Sequence, residues 1–243
     1  WDEYRNSIWH RVGYVNWGYE AIGRFDSWEQ IANYPVDNDR KGNRTVVPGD
    51  IMYKDQNNDG VINYLDERPI GYRVDSTPTL NFGINLSASW KGFDLAMDWT
   101  GSRMTSWNQC YETARPFQND GNSPDEVLKD AWHLSDIWDA NSPLIPGKYP
   151  MVRLNTDETS AYDKSSYWLH NVTYLKLRNL EVGYTFPKTW LNRTGISNLR
   201  LFVSGTNLLT LSNLSVMDPE CASDNGLDYP PMRVINIGVN LKF

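Results

Sequence analysis

The 243-residue sequence contains no apolar run approaching the roughly 18 residues that a membrane-crossing helix needs, which excludes a helical membrane protein. Its mean hydropathy of -0.58 does not exclude a membrane barrel, because strands that alternate apolar and polar residues average to a polar composition. There are two cysteines, Cys110 and Cys221, both in loop-like sequence; a single pair, which the fold would have to bring together, does not fix the compartment. The three histidines, His10, His133 and His170, are widely separated and fall in no zinc or catalytic spacing, so no enzyme is expected. No Lys/Arg cluster is present, and a net charge of -7 with a pI near 5.0 argues against a nucleic-acid partner. The chain starts at Trp1 without an initiator methionine or signal-peptide core, and reads as a mature portion or a fragment.

What is abundant is aromatic. Rings make up 13% of the residues, with 11 Trp and 14 Tyr, more than a core of this size normally uses. Amphipathic rings suit wet boundaries, either interfacial girdles or ligand platforms.

The clearest pattern runs from Leu80 to Trp99. Leu80, Phe82, Ile84, Leu86, Ala88 and Trp90 share one face, and Asn81, Gly83, Asn85, Ser87 and Ser89 the other. After Lys91-Gly92 the alternation resumes, with Phe93, Leu95, Met97 and Trp99 opposite Asp94, Asp98 and Thr100. Period two with a two-residue break predicts a hairpin, and arms of roughly 10 residues match a tilted bilayer crossing. A wet-lumen barrel and a soluble sheet both satisfy this pattern.

Residues 1 to about 50 show no sustained period and read as a long ordered loop. A short helix is expected from Ser27 to Tyr34, capped by Ser27 and ended by Pro35. A second is expected from a Ser123 cap, with Pro124 at the first position, to about Trp132. Strand alternation returns at 174–186, with a phase slip near Arg178-Asn179 that predicts a β-bulge, then at 199–204 and finally from Ile235 to Phe243.

Between these lies an oxygen-rich loop, Asp55 to Asp66. Asp55, Asn57 and Asp59 occupy positions 1, 3 and 5 of a calcium-loop pattern, Gly60 the sharp turn, the Val61 carbonyl position 7 and Asp66 position 12. A hard cation takes roughly six to eight oxygens, so structural Ca²⁺ is expected on these five residues, with an Asx-rich turn as the metal-free alternative. Asp66 stands where Glu is usual, and the loop occurs once, unlike the duplicated dockerin loops.

Loop lengths alternate: short at Lys91-Gly92, long at 104–165, short at 187–197, long at 211–230. Short turns on one side and long loops on the other are the habit of membrane barrels. The segments Pro48 to Gly71, Leu80 to Ser102 and Tyr174 to Asn213, together with Asp218-Pro219-Glu220 and the closing NIGVNLKF, resemble the C-terminal portion of SusC/RagA-type TonB-dependent transporters. The resemblance implies an all-β fold, the C-terminal strands of a transmembrane antiparallel barrel of about 22 strands, located in the bacterial outer membrane. It also implies import of oligosaccharides or peptides with a SusD-like surface lipoprotein. TonB would act through an N-terminal region and plug that this chain does not include, and the other partners are the rest of the barrel and outer-membrane lipid. Residues 1–78 then form an extracellular loop region and 79–243 the barrel strands with their long loops. Loop aromatics placed to touch substrate or lid are Trp17, Tyr19, Trp107, Trp132, Trp138 and Trp168. Asp94 and Asp98 read as lumen lining rather than as a glycosidase pair. The competing expectation is a secreted, calcium-stabilised carbohydrate-binding β-sandwich.

Overall fold

The computed structural model describes residue 11 and residues 13–73, 77–154, 158–192, 195–221, 225, 226 and 228–243, so His10 lies outside the described residues. Along the chain come β1 (Val15–Gly18), β2 (Ala21–Arg24), α1 (Trp28–Ala32), β3 (Ile51–Tyr53), β4 (Arg68–Arg73), β5 (Leu80–Trp90), β6 (Phe93–Asn108) and α2 (Asp125–Lys129). They are followed by β7 (His133–Leu134), β8 (Leu144–Ile145), β9 (Leu169–Thr185), α3 (Lys188–Leu191), β10 (Asn198–Ser212) and β11 (Val234–Lys242). The chain divides into a loop unit (Trp1–Thr77, Ser106–Asn171, Ala222–Asp228) and a sheet unit (Pro78–Thr105, Val172–Cys221, Tyr229–Phe243).

The sheet unit is one five-stranded sheet in the order β11-β10-β9-β6-β5. Its hairpin forms where the alternation predicts it, with Ile84 opposite Trp99, Leu86 opposite Met97 and Asn85 opposite Asp98. Lys91 and Gly92 both take positive φ, 48° and 90°, the mirror-image turn whose twist suits a right-handed hairpin. Glycines elsewhere in the sheet leave room for rings across the ladder: Phe82 lies over its partner Gly101, and Phe202 over Gly238.

Several strands run longer than their side-chain pattern. β6 continues to Asn108, where Thr105, Ser106 and Trp107 are all buried; covered on both faces, this stretch has no alternation to read. The predicted irregularity falls at Arg178-Asn179, but the extra residue belongs to the neighbouring strand. Register moves by one between Thr206 and Leu209, so Asn207 and Leu208 face the single Arg178, with Asn207 at φ 55°.

The loop unit holds three two-stranded pairings, β1-β4, β2-β3 and β7-β8. The stretch expected to be loop up to residue 50 therefore contains β1 and β2 besides the expected helix, which ends at Ala32 rather than Tyr34; four-residue strands are too short for a period to show. Ser27 caps α1 as expected, accepting from the Gln30 N–H. The second helix is shorter than its sequence signal. Pro124, not Ser123, occupies the cap position, the helix stops at Lys129, and the buried Ser123 hydroxyl has no partner among the described residues. The core gathers Tyr19, Ile51, Tyr53, Ile62, Tyr149, Tyr162 and Trp168, with a smaller cluster of Phe25, Ile31 and Val46.

Candidate functional site

The oxygen-rich loop is ordered by side-chain oxygens that accept from its own backbone N–H groups. Asp55 accepts from the Asn58 and Gly60 N–H groups at 2.7 and 2.8 Å, Asn57 from Asp59 at 3.1 Å, and Asp59 from Val61 at 2.9 Å. Asn58 and Gly60 make the turn with φ of 60° and 83°. Asp66 is buried and closes both ends, its carboxylate accepting from Gln56 N at 2.8 Å and Asn63 N at 2.9 Å. The Val61 carbonyl accepts from Asn63 Nδ2 at 3.2 Å. The Val61 N–H, then the Asn57 amide, hold the Asp59 carboxyl below its ordinary range. The donors are all oxygens, the chemistry a hard cation takes. Among the described residues, no three His, Cys, Asp or Glu side chains form a group that would hold a metal ion, so amide and carbonyl oxygens would complete any shell here.

The six aromatics have different fates. Tyr19, Trp107, Trp132 and Trp168 are buried. Tyr19 lies 5.2 Å from the Tyr53 ring and Trp107 stacks 5.7 Å from His170. Trp132 fills the space beside Gly49. Trp168 stacks on Tyr149 and Tyr162 and donates from Nε1 to the Ala161 carbonyl at 2.8 Å. In the chain by itself these four are loop-unit core and offer no face to a ligand, because their rings are the largest apolar bodies available to exclude water there. Trp17 is half-buried with the Arg11 guanidinium 4.8 Å above its ring. Trp138 is 89% exposed at the tip of the β7-β8 hairpin. The tip is ordered by Asp136, which accepts from the Trp138 N–H, and by Asp139, which accepts from the Asn141 N–H.

In the sheet unit the two faces differ in chemistry. One carries Leu80, Phe82, Ile84, Leu86, Leu201, Val203, Ile235, Ile237 and Val239, all exposed. At its turn end, rings run in series from Phe93 to Tyr184 (4.6 Å), Phe186 (5.0 Å) and Trp190 (6.0 Å), the make-up of an interfacial girdle. The other face is polar and ionic. Asp94 pairs with Arg200, which also reaches Glu181 at 2.6 Å, and Asp98 accepts from Asn179 at 3.2 Å. Both acids therefore line this face, and neither is placed as a catalytic pair. Lys176 and Arg178 of β9 meet Asp218 and Glu220 of the segment that follows β10. The sequence signals for that cluster were two cations two residues apart on one strand and Asp-Pro-Glu in the last long loop. Cys110 and Cys221 form no disulfide.

No family model matches the chain. It is 30% identical over 241 residues to TonB-dependent receptor P3 of Formosa agariphila, an alignment covering 92% of this chain and 22% of that protein. To TonB-dependent receptor SusC of Bacteroides thetaiotaomicron it is 24% identical over 245 residues, covering 96% and 20%. Among solved structures, the RagAB peptide importer in its closed-closed state superposes with a TM-score of 0.60 at 20% identity, over 94% of this chain and 23% of that one. The RagAB peptide transporter does so with a TM-score of 0.58 at 21% identity, over 94% and 22%. The chain thus spans about a fifth of the length of the curated relatives it matches. The long two-faced strands, the girdle of rings and these alignments agree: over nearly its whole length the chain is similar to TonB-dependent receptors of the bacterial outer membrane, SusC among them, and it carries strands of their β-barrel fold.

Proposed function

We propose that this chain supplies part of the barrel wall and several extracellular loops of an importer that takes up oligosaccharides or peptides together with a SusD-like surface lipoprotein. TonB would drive it through a region of the receptor outside this chain. The observation that carries the reading is the sheet with one exposed apolar face and one ionic face: the first is matched to lipid and the second to a watery lumen. The Lys91-Gly92 turn then lies on the periplasmic side and the Asp55–Asp66 loop outside the cell. The RagAB relatives are described as peptide transporters, which favours peptides as the first substrates to try. A sandwich would need a second sheet of similar size, and among the described residues the other sheets have two strands each.

The test is uptake by cells expressing the full receptor or lacking it, supplied in parallel with labelled peptides and labelled oligosaccharides. Uptake of one class that disappears with the receptor and with TonB is expected. Unchanged uptake of both classes rejects the importer reading. Co-purification of a lipoprotein with the receptor tests the partner separately.

Structural Ca²⁺ on Asp55, Asn57, Asp59, the Val61 carbonyl and Asp66 belongs to the same reading, as a brace for an extracellular loop. The all-oxygen donor set supports it. Calcium is expected to slow proteolysis of residues 55–66 in the purified receptor, and Asp55→Asn with Asp59→Asn to abolish that effect. Cleavage indifferent to calcium in the unmodified receptor rejects the brace.

A further inference from the structure

A cleft of about 290 Å³ opens in the loop unit beside the C-terminal end of α1. Ile31, Ala32 and Pro35 give it an apolar side, together with the Tyr34 ring, which is held at 89° to Phe25 with 5.0 Å between centroids. Two polar side chains line it. Asn43 has its amide engaged, donating to the Val36 carbonyl at 2.8 Å and accepting from the Asn38 N–H at 2.7 Å. Asp37 is half-buried, and its backbone is fixed by its N–H to the Gly60 carbonyl at 2.8 Å and by the Ile62 N–H to its own carbonyl at 2.9 Å. The Asp37 carboxylate accepts from the Lys41 N–H at 3.1 Å, and no lysine or arginine among the described residues pairs with it. The two neighbouring cations are turned elsewhere, Arg40 to Asp163 and the Lys41 ammonium to the Glu158 carbonyl at 3.2 Å. Gly42 and Gly60 complete the lining at φ of 70° and 83°, and nothing lies within 4 Å of where a Cβ would stand on either.

This lining selects by charge. A half-buried carboxylate without a cation attracts a positive group, repels an acid, and makes its strongest hydrogen bonds to a charged N–H donor. The apolar side suits the methylene stem that lysine and arginine carry behind their charged heads. The space is smaller than the roughly 300–1,000 Å³ of a site for a drug-sized ligand, which fits one long side chain and not a run of sugar rings. We propose that this cleft is a subsite for the lysine or arginine side chain of an incoming peptide, with Asp37 as its counter-ion and Ile31, Ala32 and Pro35 along its stem. The proposal rests on the importer reading given above and narrows its substrates to peptides with a basic residue. Because the backbone of Asp37 is already fastened and the Tyr34 ring already packed, the subsite is formed before the peptide arrives.

The test is fluorescence anisotropy of labelled peptides with the purified full receptor, at fixed calcium because Gly60 of the Asp55–Asp66 loop borders the cleft. The probes are acetylated alanine pentapeptides with lysine, norleucine or glutamate at the centre. The lysine peptide is expected to bind about three- to tenfold more tightly than the norleucine peptide, which keeps the stem without the charge, and the glutamate peptide most weakly. Asp37→Asn, which keeps an oxygen for the Lys41 N–H, should erase the lysine preference and leave norleucine binding unchanged. Ala32→Trp, at an exposed position, should weaken both by filling the cleft. Equal or absent binding of the lysine and norleucine peptides by the unmodified receptor overturns the subsite. So does a lysine preference that survives either substitution in receptor still showing the heat-modifiable mobility of a folded barrel. A lysine preference that depends on Asp37, in a receptor whose loss leaves peptide uptake unchanged, would uphold the subsite and overturn the importer reading alone.

Discussion

The two units place the same kind of residue in opposite surroundings. In the loop unit Trp168, Tyr149 and Tyr53 are enclosed in one buried cluster and Phe25 in a second. In the sheet unit Trp90, Phe93, Trp190 and Phe243 stand exposed alongside a band of Leu, Ile and Val. One unit excludes water by itself; the other presents an apolar face far larger than a water-soluble domain leaves open. An aromatic excess in a sequence is therefore two signals superposed, and only the strand period separates them.

The largest effect that tests this contrast is expected at Trp168. Trp168→Ala removes the ring shared by Tyr149, Tyr162 and Tyr167 and should destabilise the loop unit by about 3–5 kcal/mol. Protease cuts within 106–171 would report it, with heat-modifiable barrel mobility retained. Loss of both together would show that the units do not fold separately.

Next is the sidedness of the sheet. Ile237→Arg puts a charge on the apolar face of β11 and should cost about 2–4 kcal/mol in refolding titrations into vesicles, against less than about 1 kcal/mol for Asn236→Arg on the opposite face. Equal costs would remove the distinction between a lipid side and a wet side.

The third expectation concerns acid. Burial pushes the Asp39 carboxyl up, but N–H and hydroxyl donors from Thr45, Lys41 and Asn43 outweigh it and leave the group below its ordinary value. Its stabilisation is present above the unfolded value of about 3.9 and is lost as pH falls through the lower folded value. Asp50 and Asp163 are shifted the other way by burial, against the Arg153 and Arg40 partners; their contribution is complete in acid and declines as pH rises through the raised folded values. Asp39→Asn should therefore cost about 1–3 kcal/mol at neutral pH and flatten the acid limb below about pH 4 in a pH series of loop-unit proteolysis. An unchanged acid limb would assign it to other carboxylates.

The smallest effect is expected at the exposed hairpin tip. Trp138→Ala should change stability by no more than about 0.5 kcal/mol; a larger loss in chemical denaturation would mean that the ring is packed in the complete receptor.

The contrast also explains what could be read from residues alone. The β5-β6 hairpin, the last strand and the irregularity at Arg178-Asn179 were legible because one face of each strand is uniformly apolar. The Ser27 cap was legible because side-chain oxygen to N–H bonding is local. The burial of Tyr19, Trp107, Trp132 and Trp168 was not legible, since rings in irregular backbone carry no period and their partners come from distant parts of the chain, as Gly49 does for Trp132. The Asp55–Asp66 loop was readable down to its turn glycine, yet Asp66 turned out to serve backbone N–H groups at both ends of the loop.

The order of strands in the sheet has a kinetic consequence. β5 and β6 are joined by two residues and can pair within microseconds, whereas β6 and β9, neighbours in the sheet, are separated by residues 109–168. Closing so long a flexible segment costs a few kcal/mol of chain entropy before any ladder bond compensates it. A loop unit that condenses early around Trp168 shortens that search, because its core already joins Ala114 to Ala161 and Trp168. If the loop unit condenses first, mutations in its core are expected to slow sheet assembly in refolding kinetics even where the final sheet is unaltered.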